Sequence, residues 1–387
     1  MKRDAIQTIS LPAAQGRLEA FQVREPRAFR KPSKPFTRIA YAAAHVVADP
    51  LSAKEPWLDA AIDWDATIAY RRHLSSWGFG IAEAMDTAQR GMGLDWTNSL
   101  ELIRRTLESV PGAMVASGAG TDHLSQGEEH SLEKIQKAYE EQCAAIEKLG
   151  GRIILMASRA LAASSRSPDD YAKVYDRILG QVKQPLIIHW LGEMFDPALE
   201  GYWGKKDHYE AMDVCLEVLQ SNKNKVDGIK ISLLDKDKEI AMRRKLPKGV
   251  RMYTGDDFNF AELIEGDAQG HSDALLGIFD SIAPAASQAL SFLSQNKITQ
   301  YHDTLAPTVP LSRHIFRAPT RFYKTGVVFM AWLNGHQDHF VMVGGQQSAR
   351  NLLHFAELFR LADAAGLLAD PELACKRMKH LLALHGI

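Results

Sequence analysis

From Arg38 onward the chain alternates short apolar runs with longer stretches of helical periodicity, and it does so eight times in succession. Strand-sized runs fall at 38–45 (RIAYAAAH), 79–84, 113–117, 152–157 (RIILMA), 185–189 (PLIIH), 226–232, 250–254 and 270–275. Helical stretches lie between and after them, at 65–77, 97–108, 131–149, 168–182, 206–221, 235–246, 258–265 and 277–294. The fourth of these opens with Ser167 as a cap ahead of Pro168 at the first helical position. Strands that alternate with helices make a parallel sheet with the helices outside it. Eight such units over about 255 residues is the count of an α/β (β/α)8 TIM barrel. A doubly wound open sheet is the alternative, but no GxGxxG turn accompanies the regular units.

The barrel domain is thus expected at 38–296. Residues 1–37, with Pro26, Pro32 and Pro35 among basic residues, read as an extended arm or short hairpin wrapped on it. Residues 297–387 read as a C-terminal helical extension, with apolar positions at helical spacing from Leu352 to Leu361 and Gly344-Gly345 punctuating two helices.

Composition narrows the partners. A net charge of −1 creates no field that would gather nucleic acid, and no basic tail suggests it locally. Cys143, Cys215 and Cys375 stand far apart without a CxxC pair, which reads as reduced structural thiols rather than a disulfide frame or zinc site. No apolar run approaches ~18 residues and no apolar core follows the N-terminal charges. The expectation is a cytoplasmic protein that binds neither nucleic acid nor membrane.

Chemistry concentrates on the sixth strand, Val226-Asp227-Gly228-Ile229-Lys230-Ile231-Ser232. Alternation puts Gly228, Lys230 and Ser232 on one face and Ile229, Ile231 and Leu233 on the other. If the apolar face packs on helices, the lysine points into the barrel. There it loses hydration, its pKa falls, and the amine becomes a nucleophile for carbonyl compounds. The bland alternative is a lysine that snorkels to solvent at the strand end.

Barrel enzymes carry their chemistry where strands run into loops. Those positions hold His45, Asp86-Thr87, the stretch Ser117 to His123, Ser158-Arg159, His189-Trp190, Gly255-Asp256-Asp257 and Ser272-Asp273. Each has a plainer reading as well. His189 could be a hydrogen-bonded core histidine, one of Asp256 and Asp257 could cap the following helix, and Arg159 could be a surface residue. His123, His208 and His271 near Asp122 tempt a metal reading, but no HxH or HExxH spacing supports one.

Taken together, Gly228-Ile229-Lys230 and Tyr253-Thr254-Gly255-Asp256-Asp257 resemble the dihydrodipicolinate synthase / N-acetylneuraminate lyase superfamily, with its G-I-K strand and S-G-D-D turn. Ser117 to Thr121 resembles that superfamily's A-G-T-G loop, and Gly270 to Pro284 its stretch around the eighth strand. The order and spacing agree over roughly residues 38–294, and the chain is also similar to a branch of unknown function within the superfamily. The resemblance implies a class I, Schiff-base-forming lyase, aldolase or dehydratase with Lys230 as the imine-forming residue. It also implies a homo-oligomer, a dimer or tetramer. Two departures stand out. The superfamily's proton-shuttling tyrosine is replaced by His189, and its G-T-T-G-E carboxylate loop by Ala84 to Gln89, where only Thr87 matches and Asp86 adds negative charge.

The expected function is therefore cleavage, condensation or dehydration of a keto acid or keto-sugar derivative, with no cofactor and no metal. Lys230 and His189 are the expected catalytic residues. Thr87, Asp86, Arg159, Ser232, Gly255 and Asp256 are expected to contact substrate or order the lysine. Two other functions stay open: a catalytically silent barrel that binds a ligand, and a metal-assisted isomerase or hydrolase using His45, Asp122, His123 and His189.

Overall fold

The computed structural model describes residues 7–125 and 128–387; the first six residues of the expected arm fall outside them. An antiparallel hairpin, β1 (Thr8–Pro12) and β2 (Leu18–Gln22), precedes the main body. Eight parallel strands follow: β3 (Ala40–Ala43), β4 (Gly80–Glu83), β5 (Val115–Ala119), β6 (Arg152–Met156), β7 (Leu186–Leu191), β8 (Val226–Ser232), β9 (Arg251–Thr254) and β10 (Asp273–Leu276). They hydrogen-bond in sequence order, and β10 closes on β3 to complete a barrel. This is a (β/α)8 TIM barrel with a helical extension behind it.

The helices between the strands begin where polar side chains can cap them. Asp63, Asp95, Ser131 and Asp207 each accept a backbone N–H of the first turn of the helix that follows. Ser167 does not: it takes the extended cap conformation before Pro168 but makes no side-chain cap bond, and proline's fixed φ starts the helix instead. The helix expected over 277–294 divides at Ile282 into Ile278–Ser281 and Ala283–Leu293.

Period-2 alternation sorts the strand residues as expected. Tyr41, Ala43, Ala82, Ala116, Ile154, Met156, Ile187, Tyr253 and Leu275 form one buried cluster in the lumen. The alternate residues face the helices in a second, larger core. The lumen is thus a packed interior for most of its depth, with small residues on one side and two tyrosines, Tyr41 and Tyr253, meeting edge to face at 6.2 Å.

β10 begins three residues later than the run 270–275 suggests. Gly270 is in a turn that bridges back to Asp267, and Ser272 gives its hydroxyl proton to Glu239 at 2.7 Å. Ser272 and Asp273 therefore stand at the entry of the strand, away from the mouth, where Asp273 accepts the N–H of Ile39 and pairs with Arg251.

Beyond the barrel lie helices Ile298–Leu305, Thr308–Ile315, Tyr323–Leu333, Leu352–Ala364 and Pro371–Leu384. Helix Tyr323–Leu333 is buried along its whole length, as its all-round apolar sequence requires. Gly344 and Gly345 lie in left-handed backbone between the third and fourth of these helices. The N-terminal hairpin packs on this extension: Phe21 meets Phe359 edge-on at 6.3 Å, and Arg360 donates to the Pro12 carbonyl at 3.1 Å. Just past the hairpin, the Arg24 backbone N–H donates to Asp363 at 2.8 Å. All three cysteines are free and buried, and among the described residues no helix is long and apolar enough to cross a membrane.

Candidate active site

Lys230 and His189 pair in register on β8 and β7, and both belong to the inward-facing series. Lys230 is 8 % exposed. Among the described residues its ammonium makes no hydrogen bond or ion pair. Burial pulls it below the ordinary lysine value, against the opposing charges of Asp257 and Asp86. His189 is buried beside it and is held well below the ordinary histidine value, first by burial and then by the charge of Lys230. Its Nε2 lies 3.1 Å from Ser232 Oγ, two residues along the inward face from the lysine.

Gly255 shows why this strand end carries a glycine. A Cβ there would stand 2.8 Å from Lys230 Cε and 2.5 Å from the Ile231 carbonyl, and would run into Ser232 Oγ. The lysine's own path across β9 occupies the space a side chain would need.

The two aspartates after β9 have opposite fates. Asp256 accepts the N–H groups of Phe258 (2.8 Å) and Asn259 (3.0 Å) and the Asn259 amide (2.8 Å), so its carboxylate is spent ordering its own loop. Asp257 turns inward instead. It accepts the Ile278 N–H at 2.8 Å, and burial pushes its carboxyl up to about 7 against the stabilising backbone bond and Lys230. Of the two aspartates after β9, Asp257 is the one whose charge acts on the lysine, together with the charge of Asp86 from the end of β4.

At the end of β4, Ala84 adopts φ 52°, a left-handed conformation costly for a residue with a side chain. The following turn carries Asp86 and Thr87 at the mouth. A cavity of about 360 Å³ opens there, walled by Asp86, Arg90, Thr121, Asp122, Arg159 and His189 among others. Lys230 does not line it, whereas its register partner His189 does. The cations in this wall are largely paired: Arg159 with Asp196, and Arg90 with Asp122, whose Oδ2 lies 3.0 Å from Arg90 Nε.

Two residues of the extension join the site, and nothing in their local sequence marks them. Tyr323 OH lies 2.8 Å from Thr87 Oγ1. Lys324 is buried; desolvation lowers its ammonium to about 8, partly offset by the charge of Asp86. The Lys324 Nζ donates to the Arg321 carbonyl at 3.1 Å and lies 3.4 Å from Met92 Sδ.

The residues of the metal reading are not brought together. His45 sits on the helix side, bonded through Nδ1 to Asp280 at 2.8 Å, while His123 meets Gln142 at 2.8 Å and His189 meets Ser232. Among the described residues no group of three or more His, Cys, Asp or Glu is placed to hold a metal ion.

Residues 9–387, nearly the whole chain, match the family described as "Protein of unknown function (DUF993)". The chain belongs to that family. No curated protein matches this DUF993 sequence. Its fold, however, is shared with solved dihydrodipicolinate synthase family structures. YagE, a prophage protein of that family from E. coli K12 in complex with pyruvate, is 12% identical with a TM-score of 0.67, over 86% of this chain and 99% of YagE. Dihydrodipicolinate synthase from Aquifex aeolicus is 10% identical with a TM-score of 0.64, over 85% of this chain and 98% of the other. The chloride-inhibited enzyme from Acinetobacter baumannii, complexed with pyruvate, is 15% identical with a TM-score of 0.62, over 85% and 99%. At these identities the likeness is one of fold.

Proposed function

We propose that this DUF993 protein is a class I lyase, an aldolase or dehydratase that forms an imine between Lys230 and a carbonyl substrate. The observation that carries the reading is the inward placement of Lys230, desolvated, unpaired and in register with His189. An amine held below its solution value of about 10.4 has a larger neutral fraction near pH 7 than a free lysine.

The steps balance without an external cofactor. The neutral amine adds to the carbonyl carbon, and the nitrogen proton moves to the oxygen to give a carbinolamine. The hydroxyl takes a second proton and leaves as water, producing the iminium. That cation accepts the electron pair of a neighbouring C–C or C–H bond, giving an enamine; a β-hydroxyl can then depart as water. Reprotonation and hydrolysis return the amine. His189, neutral and hydrogen-bonded to Ser232, is the base placed to move these protons.

Two of the fold relatives were crystallised with pyruvate, which supports a carbonyl substrate here. Asp86 argues against pyruvate itself. Its charge acts on Lys230, so a carboxylate directly beside the reacting carbonyl would meet repulsion. A keto-sugar derivative, with hydroxyls rather than an acid next to the carbonyl, fits a wall whose arginines are already paired. A cytoplasmic homo-oligomer is the accompanying expectation.

The test is intact-mass analysis after borohydride treatment with pyruvate, glyoxylate, dihydroxyacetone, short aldehydes and 2-keto-3-deoxy acids. A stable mass increase that maps to Lys230 and vanishes in Lys230→Arg is expected. Labelling unchanged in Lys230→Arg, or absent across the whole panel, overturns the reading.

A further inference from the structure

Helix Tyr323–Leu333 of the extension presents its first residue to the barrel mouth. The Tyr323 hydroxyl and the Thr87 hydroxyl are 2.8 Å apart, and both residues are buried, at 3 % and 1 % exposure. The phenol is fixed from two sides. Its ring stacks on Phe316 of the extension at 4.4 Å and 15°, and meets Phe195, from the loop after β7, edge-on at 6.0 Å. Gly277, at the end of β10, leaves the space beneath it. A Cβ there would stand 3.2 Å from the Tyr323 ring and 3.4 Å from Thr87 Oγ1. The next residue is Ile278, whose N–H holds Asp257, and the Asp257 charge acts on both Tyr323 and Lys230. The phenol, the threonine, the buried carboxyl and the reactive amine therefore form one contiguous group, although Tyr323 comes from outside the barrel.

A threonine hydroxyl has one proton to give and two lone pairs to receive with. Which way its proton points depends on what already bonds to its oxygen. Burial and the charge of Asp86 keep the Tyr323 phenol protonated; either hydroxyl can give the shared proton, and the phenol, a stronger acid than the alcohol, is the better donor of the pair. Thr87 is then the acceptor from Tyr323, and its own proton is left to face the lumen.

We propose that Tyr323 is a positioning residue for the lysine chemistry: it donates to Thr87 Oγ1 and thereby aims the Thr87 proton at the oxygen that leaves the carbinolamine. The inference rests on the imine reading and adds to it that the C-terminal extension is part of the active site. The leaving oxygen departs as water, carrying a proton given by Thr87, and Thr87 takes one back from solvent while Tyr323 keeps its own.

The experiment is a double-mutant cycle on full-length protein, with wild type, Tyr323→Phe, Thr87→Val and the pair. The readout is the rate of Lys230 labelling by dihydroxyacetone and cyanoborohydride, followed by intact mass, with thermal melting as the control for folding. Each single change is expected to slow labelling about tenfold or more. The pair is expected to be no slower than Thr87→Val alone, and Thr87→Ser to retain most of the rate. Because phenylalanine keeps the ring between Phe316 and Phe195, the melting temperature of Tyr323→Phe should move little; if that variant does not fold, Thr87→Val against Thr87→Ser carries the same expectation. Labelling of Tyr323→Phe at the wild-type rate, or effects that multiply in the pair, would overturn the role of Tyr323 while leaving the imine reading intact. Failure of wild type to be labelled by any compound of the carbonyl panel would remove the imine reading and this inference together.

Discussion

The imidazole of His189 and the amine of Lys230 enter the same lumen from register-paired positions on neighbouring parallel strands. Adjacent strands lie about 4.8 Å apart, so register pairing makes the two residues neighbours across β7 and β8. Burial disfavours the charged form of both, and the charge of Lys230 adds to the effect on His189. On the imine reading, His189 is the base that stands beside the nucleophilic Lys230. His189→Asn is therefore expected to lower turnover by about 10²–10⁴-fold. Single-turnover rates should fall with it, while borohydride still traps some adduct on Lys230.

Gly255 gives a steric prediction. The added methyl of Gly255→Ala falls on the path of the lysine side chain. The same methyl crowds the Ile231 carbonyl and Ser232 Oγ, so thermal melting is measured beside labelling to separate a loss of fold from a displaced lysine. Lys230 labelling should fall by about tenfold or more, because a reacting atom displaced by about 1 Å costs that much or more. Equal labelling of variant and wild type would show that the lysine does not need this path.

The pH dependence follows from Asp257. Its carboxylate raises the pKa of Lys230 and so opposes burial. Labelling should rise with pH as the ammonium gives up its proton. Asp257→Asn removes the opposing charge, so the amine becomes neutral sooner and the acid limb of the labelling profile moves to lower pH. A limb that moves to higher pH would reverse the assigned sign.

Glu239 makes a prediction about stability. It is buried beneath β9, accepts hydroxyl protons from Thr254 (2.9 Å) and Ser272 (2.7 Å), and burial pushes its carboxyl up to about 8 from a model-peptide 4.5. Its folded pKa stands above that of the unfolded chain, so its contribution is full below about 4.5 and is lost as pH rises through about 8. Glu239→Gln keeps the shape and removes the titration. Denaturant midpoints should then fall less between pH 5 and pH 9 than in wild type, by about 1–3 kcal/mol of unfolding free energy.

Much of this arrangement is legible in the sequence because barrel strands obey a period of two. The alternation at 226–232 is enough to place Lys230 inward with Ser232, and the alternating strand and helix units give the closed sheet. The exceptions have physical causes. Gly270 to Ser272 look like strand, but a turn and a bond to Glu239 take them, so the polar residues expected at the mouth stand at the other end. Asp256 and Asp257 satisfy the same capping pattern, and only the position of the Ile278 N–H separates them. Tyr323 and Lys324 carry no local signal, since a residue that enters a site from a distant helix is chosen by packing and not by its neighbours in the chain.

The hairpin made by the first residues of the chain rests on the helices made by the last. This sets an order of assembly. During synthesis the strand bearing Lys230 is complete while the helix bearing Tyr323 is still to come, and the hairpin waits without its support. The hydroxyl pair of Tyr323 and Thr87 forms only once the helix that follows the barrel has docked, so that part of the mouth is gained after the strands can close.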